Sequence, residues 1–227
     1  MDKQSYLKTA EEAVLEVQRL VNDHQDWSLR KETSDALVYS TKLPDSKLTC
    51  FKGEINAHMS MEKIMDLVHP SERYRPRFDP FIDRCDIIEE LNDTVAIVHQ
   101  KFKPTFKHII SPRDAIDLAI YGETETSKYF LITSIKHPKF PPTNQFVRGW
   151  AHPMGVTAIK TSDPNQCRVV SLSHIDFNLP PLIPQTLIDS LMPANVIKYL
   201  TCLKSMENQE IQPLSLDIPF YRSRKIS

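Results

Sequence analysis

Leu179-Pro180-Pro181-Leu182-Ile183-Pro184, with the run that follows it to Met206, decides the fold. In that run Leu187, Ile188, Leu191 and Met192 are followed by Val196, Tyr199, Leu200 and Leu203. These spacings gather on one side of a helix. They predict a helix over 184–206. Pro184 suits its first turn, where a missing N–H leaves no bond unmade. Pro193 falls in mid-pattern, deletes the hydrogen bond to the carbonyl of Asp189, and should kink or interrupt the helix. The chain before this helix reads mostly as strands. A strand-rich body followed by one long apolar-striped helix predicts an α+β fold, a curved sheet closed by the helix. Whether solid core or a cavity lies between them is the question the pattern leaves open.

Working outward, residues 6–22 form a helix with Leu7, Ala10, Val14, Val17, Leu20 and Val21 on its apolar face. Residues 27–32, 37–42 and 48–58 read as strands joined by short polar turns. Ser60 is an N-cap for a second helix, whose apolar side is Ile64, Met65, Leu67 and Val68. His69-Pro70 ends it, because a residue before proline is pushed out of the helical region. Residues 71–78 make a short helical turn carrying Arg73, Tyr74, Arg75 and Arg77, a solvated or salt-bridged face with Asp83 and Asp86 as partners. Further on the period is mostly two, with strands at 85–91, 94–102, 113–121, 128–136, 146–160 and 168–177. The sheet should therefore hold about nine strands. Two loops carry apolar residues: 103–112 with Phe106, Ile109 and Ile110, and 137–145 with Phe140 before Pro141-Pro142. Such residues normally pack on their own domain, but at a loop tip they can also cap an opening or touch a membrane.

Composition narrows the function. The formal net charge is −1, which gives no basic footprint for nucleic acid. Cys50, Cys85, Cys167 and Cys202 are far apart, form no CxxC pair, and have no zinc-like His spacing, so reduced thiols and no metal are expected. The N-terminus leads into a charged amphipathic segment rather than a signal peptide, and no apolar run reaches the length of a membrane span. A cytosolic, soluble protein is expected. Seventeen prolines against four glycines point to loops stiffened by fixed φ rather than flexible linkers.

The element order is helix, three strands, two helices, six strands, long helix. At this point the sequence resembles the StAR-related lipid transfer (START) domain family. The resemblance rests on Ile110-Ser111-Pro112-Arg113-Asp114 entering a strand with Asp117-Leu118, then Phe146-Val147-Arg148-Gly149-Trp150 with His152-Pro153 and Gly155. His174-Ile175-Asp176 leading to Leu179-Pro180, and Ile188-Asp189-Ser190 leading to Pro193, complete it. It covers nearly all of residues 6–206 and is most like the small single-domain cytosolic members, which bind sterols or bile acids. It implies a helix-grip fold, a curved antiparallel sheet around a long C-terminal helix with an internal lipid cavity. Residues 1–206 would be the lipid-binding domain and 207–227 a polar, loosely held tail containing Ile211, Leu214, Ile218, Phe220 and Tyr221 and ending in Arg222, Arg224 and Lys225.

A cavity of this kind supplies affinity by burial, and a few polar groups choose the ligand. The expected lining is Gln100 and Phe102, then Ala115, Asp117 and Ala119, then Arg148 and Trp150, with Leu187, Leu191 and Val196 from the helix. Phe106, Ile109 and Pro193 would gate it, Pro193 as a hinge. In sterol-binding relatives a buried acid and an arginine pair across two adjacent strands; the resemblance puts Gln100 and Ala119 at those positions. The absent ion pair tells against cholesterol and favours neutral hydrogen bonds or a different charge. Gln100 can donate and accept toward a hydroxyl. Asp117, if inward, needs a partner or a raised pKa. Arg148 is a cation for an anionic head group such as a bile acid carboxylate, unless it pairs with an acid at the sheet rim. His174-Ile175-Asp176 lacks a nucleophile beside it and reads as structural. The leading expectation is a non-enzymatic carrier that binds one sterol, bile acid or similar lipid and moves it between membranes. It would have no cofactor, would make transient membrane contact, and would act as a monomer. The alternatives are a lipid sensor or a helix-grip enzyme using His99 or Asp117 as a cavity base.

Overall fold

The computed structural model describes residues 2–23, 26–70, 73–106 and 109–214. Expectations placed on Ser71, Ile218, Phe220, Tyr221, Arg222, Arg224 and Lys225 lie outside the described residues. The chain opens with α1 (Lys3–Asn22), capped by the Asp2 carboxylate accepting from Ser5 N–H at 2.9 Å. β1 (Ser28–Glu32), β2 (Ala36–Lys42) and β3 (Thr49–Ala57) follow. Next come α2 (Met61–Val68), whose Ser60 cap accepts from Lys63 N–H, and the single turn α3 (Arg75–Phe78). β4 (Ile82–Glu90), β5 (Val95–Phe102), β6 (Arg113–Glu123) and β7 (Ser127–Ser134) form a meander. β8 (Val147–Arg148), β9 (Trp150–Ala151), β10 (Met154–Lys160), β11 (Cys167–Ser173) and β12 (Ile175–Asp176) precede α4 (Gln185–Lys204).

The curved sheet runs β1-β2-β3-β11-β10-β7-β6-β5-β4, nine antiparallel strands along one path, with β8 added parallel to β6. β9 and β12 form a separate small ribbon. Alternation sets the layers. Ile116, Leu118 and Ile120 of β6 point to the convex face, where they pack beneath Ala10, Val17 and Leu20 of α1. Ala119 and Tyr121 point to the concave face, against α2, α3 and α4. Both faces of the sheet are covered, so its central strands are apolar on both sides.

Several expectations are corrected. The single strand predicted over 146–160 is three pieces. Gly149 turns its N–H to the Asp114 carbonyl, and Pro153 has no N–H to continue a ladder. The strand predicted over 168–177 breaks at His174, whose Nε2 meets Ser46 Oγ at 2.9 Å while its ring stacks on His152 at 4.4 Å. Burial, aided by His152, pushes the His174 pKa down to about 4, as fits a structural neutral imidazole. Pro184 is the N-cap of α4 and not a residue of its first turn. Pro193 does not interrupt α4, because Ile188 and Met192 before it and Val196 and Leu200 after it are all buried in one cluster. Leu187 lies 39% exposed, off the buried stripe. The tail is not loose over 207–214. Lys63 Nζ donates to the carbonyls of Glu207 and Gln209, both at 2.8 Å, the Tyr74 hydroxyl donates to that of Gln212, and Leu214 is buried in the inner core.

Where α4 meets the sheet, Val196 and Leu200 press directly on Gly53 of β3. A Cβ there would lie 2.4 Å from Val196 Cγ1 and 2.7 Å from Leu200 Cδ1. Gly53→Val should therefore overpack the contact and cost about 1–3 kcal/mol of unfolding free energy. Urea denaturation checks this; an unchanged midpoint would mean the helix is not seated there.

Candidate functional site

α4 touches β1, β2, β3 and β11, while α2 covers β7 and β10. Between them, under α3 and the β9–β12 ribbon, the concave face is left open. The first hollow there comprises ≈ 710 Å³ of space not filled by atoms, open solvent at its edge included. Phe81, Phe102, Ala115, Ile132, Trp150 and Met154 give it an almost wholly apolar wall. A second hollow of ≈ 530 Å³ adjoins it, with Arg75, Ile132 and Met154 common to both. Lys103, Thr105, Ile110 and Ser111 of loop 103–112, with Phe177, line one end of the first hollow, which we take as its mouth. There Arg113 ties the loop to the segment after β12, its Nε donating to the Phe177 carbonyl at 3.0 Å and its Nη1 to the Ser111 carbonyl at 2.7 Å. Phe106 packs edge-on against Phe177 at 5.8 Å and adopts φ 51°, a left-handed backbone that a side chain takes at some cost. Ile110 is buried in the mouth, and Ile109 is 44% exposed beside it.

The deepest charged group in the first hollow is Asp117, fully buried on β6. Its Oδ1 accepts from the Ser134 hydroxyl at 2.5 Å, and its Oδ2 from Gln100 Nε2 at 2.7 Å. The Ser134 oxygen in turn accepts from Ala151 N–H at 2.7 Å, so the network spans β5, β6, β7 and β9. Burial raises the Asp117 pKa to about 6 despite the hydrogen bonds from Ser134 and Gln100. Gln100 Oε1 is buried without a partner.

The sequence-predicted residues separate into three groups. Phe102, Ala115, Asp117 and Trp150 line the first hollow, and Gln100 reaches it through Asp117. Ala119 is on the concave face but is buried in the core opposite Ala96, lining neither hollow. Leu187, Leu191 and Val196 line neither hollow, because α4 sits at the β1–β3 end of the sheet. Arg148 is on the opposite, convex face. It forms a two-pronged bond to Asp114, Nε to Oδ1 at 2.8 Å and Nη2 to Oδ2 at 3.0 Å, and His99 Nε2 meets the same carboxylate at 2.9 Å. Burial works against the Asp114 charge, but these hydrogen bonds hold it below its ordinary value. Phe140 packs between His99 and His137 on that face.

Arg75 is the residue the sequence reading missed. Its Nε donates to Asp79 Oδ2 at 3.1 Å and its Nη1 to the Val68 carbonyl at 3.1 Å, while Asp86, its expected partner, pairs with Arg84. Burial opposes the Arg75 charge; Asp79 reverses that and holds the group above its ordinary value. The available signal was spacing: Arg75 and Asp79 are four apart across a predicted helical turn, where side chains meet. Among the described residues, no group of His, Cys, Asp and Glu is placed to hold a metal, and no helix is long and apolar enough to cross a membrane.

A sequence profile described as START domain matches residues 7–208. StAR-related lipid transfer protein 5 of Homo sapiens is 25% identical over 190 residues, 82% of this chain and 88% of that protein. The solved structure of human StAR-related lipid transfer protein 5 superposes with a TM-score of 0.85 at 23% identity, covering 92% of this chain and 99% of the other. Human STARD10 superposes with a TM-score of 0.70 at 20% identity, covering 90% and 80%.

Asp117 makes stability depend on pH with a defined sign. An acid whose folded pKa is raised favours the folded state below its unfolded pKa, near 4, and that contribution is lost as pH rises through about 6. Asp117→Asn should remove this dependence. Relative to wild type, the variant should gain about 1–3 kcal/mol between pH 4 and pH 7. Urea titrations of both proteins at the two pH values check this; a difference that stays constant with pH would mean that Asp117 ionises normally.

Proposed function

Because the chain belongs to the START domain family, we propose that it takes one lipid into the hollow on its concave face and carries it between membranes through the cytosol. The family and its relatives, which are named as lipid transfer proteins, support lipid binding and transport in general. The observation that carries the reading here is the apolar hollow itself, walled by Phe81, Phe102, Ile132, Trp150 and Met154. A sterol, a bile acid or a molecule of similar size is the ligand this wall suits. Removing on the order of 400 Å² of apolar ligand surface from water is worth about 10 kcal/mol before the costs of association. Burial can therefore supply the affinity. We read the chain as a carrier and not a catalyst. His99 faces away from the hollow toward Asp114, and Asp117 is held by Ser134 and Gln100.

Loading needs a membrane-facing mouth. Ile109 stands beside it, and Leu182, 94% exposed, lies on the segment from Phe177 into α4. These apolar tips would touch the bilayer while Phe106 and Phe177 part. Pro193, which leaves α4 one hydrogen bond short, is the hinge in this scheme. The protein would act alone, as a monomer in transient membrane contact.

Transfer of a fluorescent lipid between donor and acceptor vesicles tests this. Ile109→Asp with Leu182→Asp should slow transfer at least about fivefold while leaving equilibrium binding unchanged. Pro193→Ala should alter the transfer rate more than the affinity. Full binding with no transfer by the wild-type chain would mark a sensor and not a carrier.

A further inference from the structure

The second hollow differs from the first in its polar groups. Arg75, Asp79, Ser171, Ser173 and Tyr199 line it. Arg75 spends Nε on Asp79 and Nη1 on Val68; its Nη2 has no hydrogen-bond partner among the described residues. Nor do the hydroxyls of Ser171, Ser173 and Tyr199 have one there, although Ser171 is 5% exposed and burial pushes the Tyr199 pKa up. Ser171 is buried, while Arg75, Ser173 and Tyr199 are only partly covered. All four line one hollow without a protein partner, so they are free to bond what enters it. In the other hollow Asp117 is already bonded by Ser134 and Gln100, while Gln100 Oε1 behind it and Thr105 Oγ1 in its wall are buried without a partner.

We propose that this second compartment receives the polar end of the lipid, and that this end is an uncharged, hydroxyl-bearing group. The inference rests on the carrier reading and adds the class of ligand. The hydrocarbon would lie in the apolar compartment, and the polar end would pass Met154 and Ile132, which both compartments share. A hydroxyl suits the groups present. It can accept from Arg75 Nη2, donate to Asp79, and do either with the three hydroxyls. An anionic end does not suit them. The Arg75 charge is already balanced by Asp79 at 3.1 Å, so a carboxylate or sulfate would place an unbalanced negative charge beside Asp79, away from water. An ammonium end would meet Arg75 with the same difficulty.

Two ligand series test this, each varying only the polar end. The sterol series is cholesterol, cholesterol sulfate and cholestane; the chain series is oleyl alcohol, oleate and octadecene. Binding is followed by the emission of Trp150, which forms part of the cavity wall. In whichever series binds, the alcohol should bind at least about tenfold more tightly than its anionic and hydroxyl-free counterparts. Ser171→Ala with Tyr199→Phe keeps the shape and removes two hydroxyls. It should shrink the preference for the alcohol to within about threefold, with the hydroxyl-free ligand bound as before. An unchanged preference in this variant, or a wild-type preference for the anionic ligands, overturns the proposal and leaves carriage standing. Failure of every ligand in both series to bind removes the carriage reading and the proposal together.

Discussion

The packing of α4 on Gly53 sets the rest of the molecule. With no side chain on β3 at that point, Val196 and Leu200 sit directly on the sheet, and the helix is held at the β1–β3 end. A helix is only about 10–12 Å across with its side chains, too narrow to fill a concave sheet of nine strands. Once it is committed to one end, the face of β6, β7 and β10 needs another cover. α2 supplies part of it, while α3 and the β9–β12 ribbon roof the remainder without filling it. The hollow follows from where the helix is seated.

Such an interior is costly to leave partly polar, and the charges in it are handled in three ways. Asp114 is turned to the convex face and neutralised there by Arg148 and His99. Asp117, facing inward, is bound by two neutral donors and drifts toward protonation. Arg75 is paired with Asp79 but left with Nη2 free at the meeting point of the two compartments. Neighbouring residues of one strand, Asp114 and Asp117, thus differ in ionisation because the pleat sends them to opposite faces. The hollow acquires an apolar part and a polar part without any net buried charge at their junction.

Most of the fold was legible in the sequence because periodicity reports burial. The alternation along 113–121 and the stripe from Ile188 to Leu203 each identified an element and its buried side. The START resemblance supplied the closed shape that periodicity alone left open. What was not legible depends on tertiary placement. A stripe marks which side of α4 is buried but not what it is buried against, so Leu187, Leu191 and Val196 were assigned to a cavity they do not line. Arg148 could be read as an inward cation or as the partner of an acid at the sheet rim; the second holds, but which acid was not legible, because the pairing with Asp114 joins strands far apart in sequence. Arg75 was read as part of a solvated or salt-bridged face, and it is salt-bridged, but a four-residue turn gives too short a pattern to show which side is covered. The strap formed by 207–214 could not be seen, since its bonds run through the carbonyls of Glu207, Gln209 and Gln212, which every residue possesses.

The central claim is that the space left beside α4 holds one whole lipid. Native mass spectrometry of the chain, purified from lipid-rich cells without detergent, measures this directly. The account predicts a single adduct of lipid mass on each chain, retained through gentle desolvation and recovered chemically unchanged by solvent extraction. A bare chain, or a ladder of several weakly held lipids shed together on mild activation, would contradict it.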